Sequence, residues 1–240
     1  MSLKAVLFDF NGVIINDEPL HERLIEQLMI QENLRLQRGE FRQACLGRSD
    51  RACIVELFNR KGRVLSEAYL SHLLLRKAEA YKAEIERVEK LPIFMGLLDL
   101  IGKLREAKLV MAVVTGALRS EVELVLSRTQ LTEHFDAIAA GDEIQASKPE
   151  PDGYLLAIER LNQRYPNLNL LPSECLAIED TFAGIAAAQR AGIPVVGVAH
   201  TYPFHMLQRV ANWTIDYLTD LELDRVQQVY GQGVGQSAVG

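Results

Sequence analysis

The chain has 240 residues, 48% of them hydrophobic, which suffices for one large domain or for a core carrying a smaller insert. Its net charge of −6 argues against a nucleic-acid or anionic-membrane partner. No apolar run approaches the ~20 residues of a membrane span, and the N-terminus lacks a basic region followed by a long apolar one, so a soluble, cytoplasmic protein is expected.

The four apolar residues Ala5–Phe8, bounded at once by a turn signal, read as a buried strand. Asp9 follows at its carboxyl end, where open α/β sheets bind ligands. From about Pro19 to Leu91 no strand pattern occurs. Leu24 and Leu28, then Leu70, Leu73 and Leu74, keep helical spacing, so this stretch reads as a helical insert. Within it Cys45 and Cys53, eight residues apart, read as one packed helix face. With Cys175 the cysteines are odd in number and form no C-x-x-C, which argues against a disulfide framework or a zinc site. Lys90-Leu91-Pro92 reads as the return linker, because Pro92 cannot sit in a helix interior.

Beyond the linker, helices and strands alternate. The pattern predicts helices over Leu97–Glu106, Ser120–Thr129, Pro151–Tyr165 and Ala183–Arg190, the last stopped by Gly192. Between them it predicts short buried strands over Val110–Val114, Ala137–Ala139, Cys175–Ile178 and Pro194–Val198. Such alternation implies right-handed crossovers and an α/β fold with a doubly wound, mostly parallel sheet. The expected organisation is a core of residues 1–18 and 91–230, a helical insert at 19–90, and a disordered tail at 231–240 with little to bury.

Four polar motifs stand at strand ends or loop starts. Asp9-Phe10-Asn11-Gly12 places a carboxylate that can attack phosphorus next to a tight turn. Val113-Val114-Thr115-Gly116-Ala117 runs a strand into a hydroxyl and an unobstructed backbone N–H, suited to holding phosphoryl oxygens. Ser147-Lys148-Pro149-Glu150-Pro151-Asp152 presents a lysine just before a helix, a cation of the kind phosphoryl transfer needs. Glu179-Asp180 follows Leu176-Ala177-Ile178; adjacent carboxylates there are costly unless solvent or a cation intervenes.

In order and near spacing, these motifs resemble those of the haloacid dehalogenase superfamily, from Asp9 to Gly192. The resemblance implies a Rossmann-like core with a helical cap inserted after the first strand, and is closest to the branch of β-phosphoglucomutase and small-metabolite phosphatases. It implies an aspartyl-phosphate formed on Asp9, phosphoryl contacts from Thr115, Gly116 and Lys148, and Mg²⁺ held by Asp9, the main-chain carbonyl of Asn11, Asp180 and, in or near the shell, Glu179. In the cap it implies substrate contacts from His21, twelve residues after Asp9, from the loop Gly47-Arg48-Ser49 and from Lys77. Asp50 stands where the mutases carry a phosphate-binding Arg, which counts against mutase activity. The implied partner is a small phosphorylated metabolite, and the implied assembly a monomer or weak homodimer.

One residue departs from the family pattern. Position 11 carries Asn where the family has the Asp that protonates the leaving group, and Asn cannot exchange a proton at neutral pH. Loss of such help typically costs ~10²–10⁴ in rate, while the metal site keeps its main-chain carbonyl. His21 or Asp17 could take over the proton, the substrate could have a leaving group needing none, or the protein could bind phosphate compounds with little turnover. Asn11-Gly12 is also prone to deamidation. A Mg²⁺-dependent phosphatase is therefore the leading expectation, with a binding or regulatory protein and a phosphomutase as alternatives.

Overall fold

The computed structural model of the chain describes residues 2–231, with Gly231 as backbone only; the tail expected at 231–240 otherwise lies outside the described residues. Six parallel strands form one sheet: β1 (Ala5–Phe8), β2 (Val110–Val114), β3 (Ala137–Ala139), β4 (Cys175–Glu179), β5 (Val195–Val198) and β6 (Trp213–Ile215), in the order β3-β2-β1-β4-β5-β6. Helices α5 (Leu97–Glu106), α6 (Arg119–Arg128), α7 (Asp152–Arg164) and α8 (Phe182–Arg190) supply crossovers. Two apolar clusters cover the sheet. Val6, Phe8, Val113 and Ile178 belong to one, while Ala5, Leu7, Ala112 and Ala177 belong to the other. Successive strand residues point to opposite faces, so strands buried on both faces read as unbroken apolar runs.

β1 pairs with β2 on one side and β4 on the other, with Phe8 level with Val113 and Ile178. The chain runs from β1 outward through β2 to β3 and then crosses back to β4 on the other side of β1, which makes this the switch point at which open α/β sheets leave a crevice. Asp9, Thr115, Glu179 and Asp180 consequently emerge side by side. β6 escapes the sequence pattern because it is a three-residue edge strand with only Ile215 buried.

Between β1 and α5 lie four helices: α1 (Glu18–Gln31), α2 (Glu40–Ala44), α3 (Asp50–Arg60) and α4 (Glu67–Arg87). They bury their own apolar cluster, including Ile25, Met29, Phe41, Leu57, Phe58 and Leu73. The side chains of Ser49 and Ser66 cap α3 and α4, accepting from the N–H groups of Ala52 and Tyr69.

The cysteine expectation needs correction. Cys45 and Cys53 do not share one helix face; they form a disulfide. The helix breaks between them, because Gly47 adopts a φ of +71° that turns the chain back and brings the two ends of the loop together. A sequence count of cysteines cannot register that turn. Closing so short a loop restricts the unfolded chain by about 2.5 kcal/mol in the chain-entropy description, so Cys45→Ser is expected to lower stability by about that amount in denaturant unfolding without reductant. Alkylation of the unfolded protein should label one cysteine without reductant and three with it; three labels without reductant would contradict the bridge.

A candidate active site at the switch point

Asp9, one residue beyond β1, is 4% exposed. Its Oδ1 accepts from the Phe10 backbone N–H at 2.7 Å and lies 2.8 Å from Lys148 Nζ. The same ammonium donates to Glu179 Oε1 at 2.6 Å and to the Val114 carbonyl at 3.1 Å. Tyr154, from α7, donates its hydroxyl to Glu179 Oε1 at 2.6 Å. Lys148 is thus fixed by groups from three strand ends.

Charge in this cluster does not balance. Oxygens of Asp9, Glu179 and Asp180 lie within 4.8 Å of one another, all three residues are buried, and Lys148 is the single lysine among them. Burial, with the Asp9 charge beside it, pushes the Glu179 carboxyl up to about 8 despite Lys148. Burial and then the Asp9 carboxylate hold Asp180 well above the usual carboxylate range. For Lys148, burial favours deprotonation, but Asp9 and Glu179 outweigh it and hold the ammonium above an ordinary lysine. Glu179 Oε2 and Asp180 Oδ1 are buried without hydrogen-bond partners. Two orphaned carboxylate oxygens in an excess of negative charge match the donor set of a hard divalent cation, and the cluster could hold one. Gly12, at φ +83°, keeps the turn clear: a Cβ there would come within 2.0 Å of Asp180 Oδ2.

Asn11 forms the centre of a second network. Its Oδ1 accepts from Thr115 Oγ1 at 3.4 Å, its Nδ2 donates to Asp17 Oδ1 at 2.9 Å, and the same Nδ2 lies 3.2 Å from His21 Nε2. Tyr81, stacked on His21, donates to Asp17 Oδ2 at 2.6 Å, and His21 Nε2 lies 3.3 Å from that oxygen. Burial works to raise Asp17, but the His21 charge and hydrogen bonds from His21, Asn11 and Tyr81 hold its carboxyl below the usual range. Burial and the Lys77 charge work to lower His21, and Asp17 outweighs them and raises it. Thr115 Oγ1 also accepts from the Ala117 N–H at 3.0 Å.

The helical insert lies over these groups. Asp9, Asn11, Gly116 and Ala117 from the core, with Glu18, His21, Ile25, Phe41, Leu46, Gly47, Arg48, Asp50 and both bridged cysteines from the insert, line a cavity of about 50 Å³. Small-molecule sites usually offer ~300–1,000 Å³, so the insert stands closed over the core. The Ser49 N–H donates to Ser147 Oγ at 2.7 Å across this seam, and Gly47 packs so tightly that a Cβ would meet Thr181 Oγ1 at 2.4 Å.

Lys77 does not line the cavity. Its side chain is fully buried, 2.6 Å from Asp50 Oδ2 and 3.0 Å from Glu121 Oε1 of α6, so two carboxylates already hold the ammonium that the family resemblance assigned to substrate. Other contributors were invisible in the motifs. Tyr154 and Glu121 sit on amphipathic helices, where a polar residue reads as surface. Thr201, which donates to Asp180 Oδ2, and His200, whose Nδ1 bonds the Gly12 carbonyl at 2.8 Å, follow β5; their place beyond a strand's carboxyl end was the available signal. Replacing Lys77 with Met leaves the buried Glu121 and the half-buried Asp50 without their cation and is expected to cost about 3–5 kcal/mol. Lys82→Met, at an exposed pair with Glu86, is expected to change stability by under ~1 kcal/mol. Equal, small effects in denaturant unfolding would contradict the structural role of Lys77.

The family model for haloacid dehalogenase-like hydrolases matches residues 6–198. Protein CbbY of Rhodobacter capsulatus is 28% identical over 224 residues, covering 91% of this chain and 95% of that protein. Fructose-1-phosphate phosphatase YqaB of Escherichia coli K12 is 31% identical over 197 residues, covering 81% and 95%. Among solved structures, β-phosphoglucomutase from Clostridium difficile superposes with a TM-score of 0.83 at 22% identity, over 96% of this chain and 98% of that one, a likeness of fold. Sheet order, clustered carboxylates and sequence agree: the chain belongs to the haloacid dehalogenase-like hydrolases.

Proposed function

We propose that this protein is a Mg²⁺-dependent phosphomonoesterase of a small phosphorylated metabolite, with α1–α4 serving as a cap. The observation that carries this reading is Asp9: a buried carboxylate at a switch point, held by one ammonium, facing a cavity and flanked by two carboxylates with orphaned oxygens.

Asp9 Oδ1 is engaged by Lys148 and the Phe10 N–H, which leaves Oδ2 toward the substrate. Its attack on phosphorus forms an Asp9 acyl phosphate and releases the substrate's alcohol oxygen; water then attacks the same phosphorus and frees phosphate and the carboxylate. Lys148 offsets the charge of nucleophile and phosphoryl group from a fixed position, and Thr115 with the Gly116 N–H orients the phosphoryl oxygens. Asp9, Glu179, Asp180 and the Asn11 carbonyl would hold Mg²⁺, which supplies further charge neutralisation at the phosphoryl oxygens when bound. The leaving oxygen needs a proton that Asn11 cannot give. The proton-carrying groups touching Asn11 are His21 and Asp17. Opening of the cap must precede binding, since the closed cavity is too small for a sugar phosphate, and closure excludes water from the transfer.

A second reading is favoured by one observation, Asn11 itself: a protein that binds phosphate compounds and turns them over poorly. Phosphate release from a metabolite panel, with Mg²⁺ and with chelator, separates the two. Mg²⁺-dependent release by the parent, lost by at least about 10³-fold in Asp9→Asn, is the expected result. Release appearing only after Asn11→Asp would favour the binding protein, and equal rates in parent and Asp9→Asn would overturn the proposed chemistry.

A further inference from the structure

We infer that the Cys45–Cys53 bridge is a redox-sensitive site, reducible by a dithiol: its oxidised form seats the loop Gly47–Ser49 on the catalytic face, and its reduction loosens that loop and weakens substrate binding. The consequence for substrate rests on the phosphomonoesterase reading; the bridge and the seat of the loop do not. Both bridged cysteines line the cavity that Asp9 faces. The bridge therefore stands in the wall of the site itself.

The loop inside the bridge touches three segments of the core. Gly47 packs on Thr181 and Ala183, where α8 begins. The backbone of Arg48 and Ser49 lies on Gly116, where a Cβ would come within 2.7 Å of the Arg48 carbonyl and the Ser49 nitrogen. The Ser49 N–H donates to Ser147 Oγ at 2.7 Å, next to Lys148. These segments carry Asp180, Thr115 and Lys148, so three of the four motifs meet this one turn. Local support for the turn is modest. The Arg48 N–H donates to the Cys45 carbonyl at 3.0 Å, and the Ser49 side chain caps α3. The bridge adds the covalent constraint, holding the end of α2 against the first turn of α3 with the two Cα atoms 4.5 Å apart. Ile25, Met29, Leu57, Phe58 and Leu73 give the insert an apolar cluster of its own, so opening the bridge frees a turn and leaves the insert folded.

Cys45 and Cys53 are 7% and 2% exposed. A reductant therefore reaches them when the insert lifts from the core, the same movement that admits substrate. A thiolate of the dithiol attacks one sulfur and forms a mixed disulfide, which its second thiolate resolves. The Cys45–Cys53 bond is replaced by two protein thiols and one disulfide within the reductant, so two electrons and two protons pass to the protein. Cys175 takes no part: it is buried in β4, and its thiol donates to the Leu171 carbonyl at 3.4 Å.

The test compares the air-oxidised parent with the same protein reduced by dithiothreitol and desalted under nitrogen, with thiols counted in each by alkylation and mass. Hydrolysis of p-nitrophenyl phosphate in Mg²⁺ is expected to lose at least about fivefold in kcat/KM on reduction, the low end of coupling between two sites. The loss falls mostly on KM and reverses on reoxidation; a merely structural bridge would lower the melting temperature and leave KM unchanged. Cys45→Ser/Cys53→Ser is expected to match the reduced parent in both conditions, and Cys175→Ser to keep the response. Hydrogen exchange at the Ser49 amide is expected to quicken on reduction by a similar factor. In an active enzyme, equal kcat/KM in the two forms, a double variant that still responds or an unchanged Ser49 amide overturns the inference. Three free thiols in the air-oxidised protein overturn it in any case. If neither form hydrolyses the ester, the phosphatase reading fails; quickened Ser49 exchange then upholds the redox site, and unchanged exchange overturns it too.

Discussion

Three carboxylates lie out of water at the end of one sheet, and a single ammonium stands among them. Desolvation and mutual repulsion disfavour that arrangement, and Lys148 relieves only part of it, bonding Asp9 and Glu179 while Asp180 keeps a buried oxygen without a partner. Such an imbalance is characteristic of functional sites, and this one could hold a divalent cation. The turn at Gly12, braced by His200 on its carbonyl, the donor Tyr154 and the hydroxyl of Thr201 all act to hold these carboxylates in place.

The sheet determines where the cluster forms. With β1 central and its neighbours in register, residues at or just beyond the strand ends converge without further design: Asp9, Thr115, Glu179 and Asp180 come from three adjacent strands. The helical insert then decides what else reaches them. Its connection to the core is polar and tight, through Lys77 on Glu121, the Ser49 N–H on Ser147 and Arg128 donating to the Val88 carbonyl at 2.6 Å. Ion pairs buried at a seam contribute less to net stability than to fixing a geometry, and here the geometry is that of the wall facing Asp9.

Much of the core could be read from the chain because its signals are local. β1, β2 and β3 fall on the residues that their apolar runs predicted, and α5 spans its predicted Leu97–Glu106. Strands buried on both faces leave such runs, and strand-end polar residues mark the crevice. What escaped depends on contacts distant in sequence. The Cys45–Cys53 bridge needs the reversal at Gly47. The commitment of Lys77 needs Glu121, forty-four residues away. Asn11 looked like a loss within its motif; in space its side chain joins Thr115, Asp17 and His21, so the proton-carrying groups stand beside the gap in the motif rather than in it. Edge strand β6, short and half-exposed, lacked the burial that makes a strand legible.

The central claim is that the acidic cluster is completed by a divalent cation, and thermal unfolding of metal-free protein titrated with Mg²⁺ tests it most directly. A ligand at ~100 times its Kd stabilises the folded state by about 2.7 kcal/mol, so the melting temperature of the parent is expected to rise by several degrees. Asp180→Asn, which removes charge repulsion along with a ligand, is expected to start from a higher metal-free melting temperature and to lose most of the Mg²⁺ response. A parent whose melting temperature ignores Mg²⁺, or an Asp180→Asn protein that responds as strongly as the parent, would contradict it.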